Sequence, residues 1–356
     1  MTNNIETSEM PAPDNSDTSE DMYIGLDLGT SQSAIATSSG ILLNIPSIVG
    51  FPKDFIARKL LNKSILFGNE CLRNRMSVDM LFPLEKGVIV RKRNSQEAER
   101  ENEAVRELIK YLLSRVKINE DQKSYLVVGS PAQATLEDKQ AIKETVKGLV
   151  DSVLIVSEPF LVAYGLGIYG FANIIDIGAG TLDICRMHGT LPDENDQITL
   201  YKAGNHIDQF LLDLLKSKIP NAHMSIDLVR EIKEEYAYVD KKTRQLTYEF
   251  LVSGKPVKYD ITEETREASL SILPEMLGAL RKLISDFDPE FRQALMDNVI
   301  LAGCGSRIKG LAETIVKDLS DLGELTVTAV DDPIYAGAVG GLKLGIDVPK
   351  DEWLQI

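Results

Sequence analysis

A short motif that occurs twice sets the plan of this chain. Residues 173–187 read NIIDIGAGTLDICRM, and residues 23–37 read YIGLDLGTSQSAIAT. Laid on one another, Asp27 falls on Asp176, Gly29 on Gly178 and Ile35 on Ile184. In each copy β-prone apolar residues carry an aspartate to a strand end, and glycine then permits an immediate turn back. In the second copy Gly178 and Gly180 leave backbone amides unshielded, and Thr181 adds a small hydroxyl. Bare amides with carboxylates beside them suit an anionic phosphate and a divalent cation. One glycine turn is weak evidence. Two related hairpins about a domain length apart predict a duplicated α/β architecture whose halves face each other across a cleft.

The chain is long enough for that plan, since 356 residues with 44% apolar content can bury two cores. No run approaches the ~18 apolar residues that span a bilayer, and the N-terminus lacks a signal pattern, which predicts a cytoplasmic protein. Cys71, Cys185 and Cys304 lie far apart and fit a reducing compartment. His188, His206 and His223 lack metal-ligand spacing and read as ordinary histidines. A net charge of −15 argues against direct nucleic-acid binding. Arg91-Lys92-Arg93, the one basic candidate, reads as a solvated loop. Residues 1–21 hold six acidic residues and no basic one, which predicts a disordered acidic leader.

Between the hairpins, residues from about 46 to 104 are irregular and read as a small insertion subdomain. A helix follows, with Val105, Leu108, Ile109, Leu112, Leu113 and Val116 at helical spacing. Thr135 and Asp138 form a capping-box pattern. The strand Val153–Val156 stops at Ser157-Glu158-Pro159, where proline suits a first helical turn. Glu158 therefore opens a helix at a strand end, where an open α/β sheet presents its ligands. Two readings of Glu158 stand side by side: an acid complementing the helix dipole, or a carboxylate that orients a water at a phosphate.

Past the second hairpin, Gly204-Asn205 opens an amphipathic helix, and a polar helix over 228–240 carries Lys233 and Glu234. Residues of about 218–260, including a strand-like stretch with a turn at Ser253-Gly254, read as a second insertion. A helix from about Leu273 has Pro274 near its start or at a kink. Val299–Ala302 runs into Gly303-Cys304-Gly305-Ser306-Arg307, a strand, glycine turn and helix that let a ligand approach the backbone closely. This turn lacks the G-x-G-x-x-G spacing of a dinucleotide site, and the chain has no P-loop, so a base or sugar suits that turn better than phosphates do. A glycine-rich helix follows, and the tail holds a lone Trp353 without an amphipathic anchor.

Five segments in order resemble the actin-like ATPase superfamily, which includes actin, the MreB group and the Hsp70 and hexokinase nucleotide domains. LDLGTS resembles its first phosphate motif, SEPF–AYG its first connecting segment and DIGAGTLD its second phosphate motif. LAGCGSRIKGL resembles the adenosine motif and PIYAGAVGGLKL the second connecting segment. LVREIKEEYAYV is similar to the segment whose lysine and glutamate touch adenosine. VGFPKDFIARKLL, KAGNHID and SGKPVKYDITEE further resemble the MreB-like filament formers of magnetotactic bacteria, whose filaments organise magnetosome chains. Leu182 is a departure, standing where a second threonine is common, and it should leave phosphate binding intact.

The resemblance implies an actin/Hsp70-type fold of two domains around a nucleotide cleft. Domain I would cover 22–160 and domain II 161–334, with a helix and tail at 335–356 returning to domain I. It implies ATP or ADP with Mg²⁺, the metal held by Asp27 and Asp176. Gly29, Thr30, Ser31, Gly178, Ala179, Gly180 and Thr181 would bind phosphates, and Gly204 and Asn205 would join them. Lys233, Glu234, Gly303, Gly305, Ser306 and Arg307 would take the adenosine. Glu158 would position the attacking water, and Asp183 would support the metal or the hairpin. The implied partners are further copies of the chain in a homopolymeric filament, a paralogous actin-like protein and magnetosome-membrane adaptor proteins. A small-molecule kinase, which needs an acceptor site with a catalytic aspartate, or an ATP-dependent chaperone would be the alternatives on this fold.

Overall fold

The computed structural model describes residues 21–90, 96–119, 121–241 and 245–356. The leader through residue 20 and Arg91-Lys92-Arg93 lie outside the described residues. The chain divides into two compact units. One runs to Tyr169 and resumes over Asp332–Ile356; the other is Gly170–Asp331.

In the first unit, β1 (Met22–Leu28), β2 (Gln32–Thr37), β3 (Leu42–Pro46), β4 (Ser124–Ser130) and β5 (Ser152–Ser157) form one sheet. Its order is Leu354–Gln355, β5, β4, β1, β2, β3. β1, β4 and β5 are parallel, while β1 and β2 form the first hairpin. The carboxyl ends of three parallel strands therefore share one edge, where such sheets present ligands. Leu108, Ile109 and Leu112 of the helix Gln96–Ser114 are fully buried against this sheet. Ala104 and Val105 already belong to that core, so the insertion ends before 104. The insertion keeps a small core of its own, Ile48, Leu66, Cys71 and Val78.

The closing helix, Ala336–Asp347, packs through its glycine face on β1 and on the helix Glu158–Gly165. A Cβ on Gly340 would overlap the Leu161 carbonyl, and one on Gly25 would overlap the Ala338 carbonyl. That backbone-to-backbone approach keeps Glu158–Gly165 whole within the first unit, whereas a boundary after 160 would cut the helix. Trp353 is buried and meets Tyr125 edge-on at 5.0 Å between ring centres, so the tail docks.

In the second unit, β6 (Phe171–Ile177), β7 (Leu182–His188), β8 (Gln197–Leu200), β9 (Val299–Ala302) and β10 (Val327–Ala329) order as β8-β7-β6-β9-β10. β6 and β7 are the second hairpin, with Asp176 directly opposite Asp183. Val229, Ile232 and Phe250 of the second insertion join the same core as Ile175 and Ile184. The strands Thr247–Val252 and Lys255–Asp260 turn through Ser253 and Gly254, both at positive φ (51° and 77°), as a tight hairpin demands. Pro274 sits in the first turn of the helix Leu273–Ser285. The polar helix is Ile226–Tyr236, shorter than its pattern predicts. Ala237–Val239 leaves it to exchange hydrogen bonds with Lys309, Val239 N–H donating to the Lys309 carbonyl and Lys309 N–H to that of Ala237.

Candidate functional site

In the first unit β1 delivers Asp27 to the glycine turn. The residue retains some exposure, yet burial around its carboxylate pushes the group up to about 6. Gly337 makes room for it: a Cβ there would stand 2.9 Å from the carboxylate. Burial disfavours the charged carboxylate, and a divalent cation beside it would offset that cost. Among the described residues no group of three or more His, Cys, Asp or Glu forms a ready metal cage. That donor set suits Mg²⁺, which keeps several waters and takes one or two carboxylates.

The turn itself is tied from behind. The Ser47 hydroxyl donates to the Gly29 carbonyl at 2.7 Å, and Ser47 N–H donates to the Ser31 carbonyl at 2.9 Å. In a trans peptide the carbonyl of one residue and the N–H of the next point in opposite directions. Holding the Gly29 carbonyl inward thus aims the Thr30 N–H the other way. The Thr30 hydroxyl accepts from Gly87 N–H at 2.8 Å, which sets the turn after Lys86 against the loop. Glu158 opens its helix at the end of β5 and lies across Gly129 of β4, where a Cβ would stand 2.9 Å from its Cγ. β1 and β4 run side by side through Leu26 and Val128, so Asp27 leaves its strand beside Gly129.

The second unit repeats the device with other parts. Gly204 N–H donates to the Gly178 carbonyl (3.0 Å) and Asn205 N–H to that of Ala179 (2.8 Å). These ties aim the Ala179 and Gly180 amides away from the helix that opens at Gly204. The Gly204 and Asn205 amides are consumed in this and are not donors for a ligand. Thr181 is buried at the turn, and Asp183 accepts from the Thr199 hydroxyl at 2.5 Å, a bond that braces the hairpin. Lys233 reaches the Gly204 carbonyl (3.3 Å) and pairs with Asp208 at 2.7 Å. Asp208 is fully buried and also takes Arg230 at 3.1 Å.

Gly303, at φ 66°, lets the adenosine-type turn lie on the hairpin: its Cβ would overlap the Asp176 carboxylate and stand 2.5 Å from the Ile177 carbonyl. Gly305 fits against the Ile177 side chain in the same way, and Ser306 is buried behind it. Each unit thus gathers its own share of the expected residues, while Glu234 and Arg307 are exposed and rest on the resemblance alone. Gly303→Ala is expected to displace Asp176 at a strain of about 1–3 kcal/mol. A rise of about tenfold or more in the ADP dissociation constant by titration calorimetry would register it. Unaltered affinity would detach this turn from the site.

Sequence reasoning missed Ser47 and Asp208, and it places a turn at Gly87 without its contact to Thr30. Asp208 left a trace, because Arg230 and Lys233 stand three apart on one helix face and call for a shared anion.

The MreB/Mbl protein family model matches residues 21–350. The actin-like protein MamK of Paramagnetospirillum magneticum (strain AMB-1) is 35% identical over 335 residues, 94% of this chain and 95% of that protein. Among solved structures, the MamK double helical filament matches with a TM-score of 0.88 at 35% identity, over 92% of this chain and 99% of that one. A non-polymerising MamK mutant bound to AMPPNP matches with a TM-score of 0.71 at 35% identity, over 92% and 99% of the two chains.

Proposed function

The chain belongs to the MreB/Mbl family of actin-like proteins, and from this we propose that it is a bacterial actin-like cytoskeletal protein that binds and hydrolyses ATP and polymerises into filaments, which organise magnetosome chains in the cytoplasm. It has the actin/MreB-like α/β fold. The observation that carries the proposal is 35% identity to MamK across 94% of the chain, because that span includes both glycine-turn hairpins. AMPPNP is bound by the MamK mutant, and the filament is formed by MamK; both properties are proposed here for this chain.

Within that reading, the amides of Thr30, Ala179 and Gly180 and the hydroxyls of Ser31 and Thr181 hold the β- and γ-phosphates. Asp27 and Asp176 would hold Mg²⁺, and the ion would supply charge neutralisation on the phosphates. Lys233, steadied by Asp208, meets the nucleoside together with Glu234, Gly303, Gly305, Ser306 and Arg307. Glu158 orients a water and accepts its proton as the water oxygen bonds the γ-phosphorus and the bond to the bridging oxygen breaks, giving ADP and phosphate. Copies stack head to tail through unlike surfaces, which gives open filaments instead of closed rings. Partners are further copies of the chain, a paralogous actin-like protein and adaptor proteins on magnetosome membranes. Among the described residues no helix is long and apolar enough to cross a membrane.

High-speed sedimentation of the purified chain with and without Mg-ATP tests the proposal. Pelleting that requires nucleotide, with phosphate release in the same samples, is the expected result. A chain that stays in the supernatant and hydrolyses ATP only with an added small acceptor would favour a kinase and remove the filament.

A further inference from the structure

We infer that Ser47, which belongs to none of the glycine-turn motifs, is a positioning residue of the first phosphate loop. The inference rests on the nucleotide reading above and assigns a residue to it. Ser47 is fully buried. Its hydroxyl oxygen lies 2.7 Å from the Gly29 carbonyl and 2.8 Å from Ser33 Oγ. A carbonyl only accepts, so the single Ser47 hydroxyl hydrogen goes to Gly29, and Ser33 is the donor in the serine pair. The Ser47 amide meanwhile holds the Ser31 carbonyl at 2.9 Å. Ser47 thus grips the loop at two carbonyls that flank Thr30.

The consequence is directional. With the Gly29 carbonyl fixed toward Ser47, the planar trans peptide fixes the Thr30 N–H away from it. No cis peptide intervenes. An amide that binds phosphate is useful in proportion to how little it must reorganise on binding. In the second hairpin the same work is done by backbone amides, Gly204 and Asn205, gripping the Gly178 and Ala179 carbonyls. In the first, a side chain contributes one of the two grips, and a side chain can be removed by substitution without altering the backbone.

Ser47→Ala deletes that one grip and leaves the amide grip in place. Ser33→Ala is the control, since it removes a buried hydroxyl from the same pair without touching the loop. Dissociation constants for Mg-ADP and Mg-AMPPNP are measured by titration calorimetry on both variants, alongside thermal midpoints without nucleotide. Ser47→Ala is expected to weaken both nucleotides by up to about tenfold, the worth of one hydrogen bond. Ser33→Ala should remain within about twofold, with a comparable loss of thermal midpoint in the two variants. Equal weakening in both, or Ser47→Ala within twofold of the parent, would overturn the inference and leave Ser47 as ordinary core support. A parent chain that binds neither nucleotide would overturn the nucleotide reading itself, a result distinct from the first two.

Discussion

Glu158→Gln is expected to slow phosphate release from ATP by about 10²- to 10⁴-fold, the range that a positioned general base contributes. Nucleotide affinity should change little. The substitution preserves the shape of the side chain, which lies over Gly129 at the end of β4 with its helix opening directly beneath it. Only the proton-accepting charge is removed. Two roles compete for that charge, and they differ in what they lose. If Glu158 merely complements the helix dipole, glutamine costs about 0.3–1 kcal/mol of stability and leaves turnover alone. If it takes the proton of the attacking water, turnover collapses while the chain still pellets with Mg-ATP and no longer disassembles. Phosphate release and sedimentation recorded on one sample separate the two. Phosphate release unchanged within error would return Glu158 to the dipole role.

The parts legible in the sequence are those whose physics is local. Asp27 and Asp176 end apolar runs and precede glycine, so strand, turn and carboxylate follow from neighbours in the chain. Pro159 marks a first helical turn for the same reason, and Thr135 with Asp138 forms the capping box that its spacing implies. Ser47 was not legible, because it acts on a carbonyl distant in sequence and looks like any serine after a proline. Nor was the use of Gly204 and Asn205, which the resemblance places at the cofactor: the fold consumes both amides in holding the opposite turn. The polar helix stops at Tyr236 because Lys309, far along the chain, offers strand-like partners to Ala237 and Val239. Propensity cannot anticipate a competitor that arrives by tertiary contact. The packing of the second insertion was hidden for the same reason, since Phe250 joins a cluster assembled from strands before and after it.

Asp196→Asn is expected to destabilise the second unit by about 3–5 kcal/mol, the cost of leaving a buried charge unpaired. Arg186 projects from β7 into the core with its side chain only 9% exposed. Its Nε and one terminal nitrogen donate to a single Asp196 oxygen at 2.9 and 2.6 Å. The other terminal nitrogen donates to the Leu283 carbonyl at 2.8 Å, and the guanidinium stacks 4.5 Å above Phe287. The second carboxylate oxygen is met by His188 at 3.0 Å and by the Asp193 amide at 3.0 Å. Burial alone would raise this carboxyl; the bonds from His188, the Asp193 amide and Arg186 outweigh it and hold the group below its ordinary value. The sign of the pH dependence follows. A carboxyl lowered by folding adds stability above its unfolded value of about 4 and loses it as pH falls through the lower folded value. The stability gap between parent and Asp196→Asn, measured by urea unfolding, should therefore be full at neutral pH and close below about pH 4. Removing both charges, as in Arg186→Met with Asp196→Leu, should cost less than Asp196→Asn alone, since no orphaned charge remains. A double variant as unstable as the sum of its parts would show that the two side chains act separately, and the charge pair would then not be what holds β7 to the helix that carries Leu283.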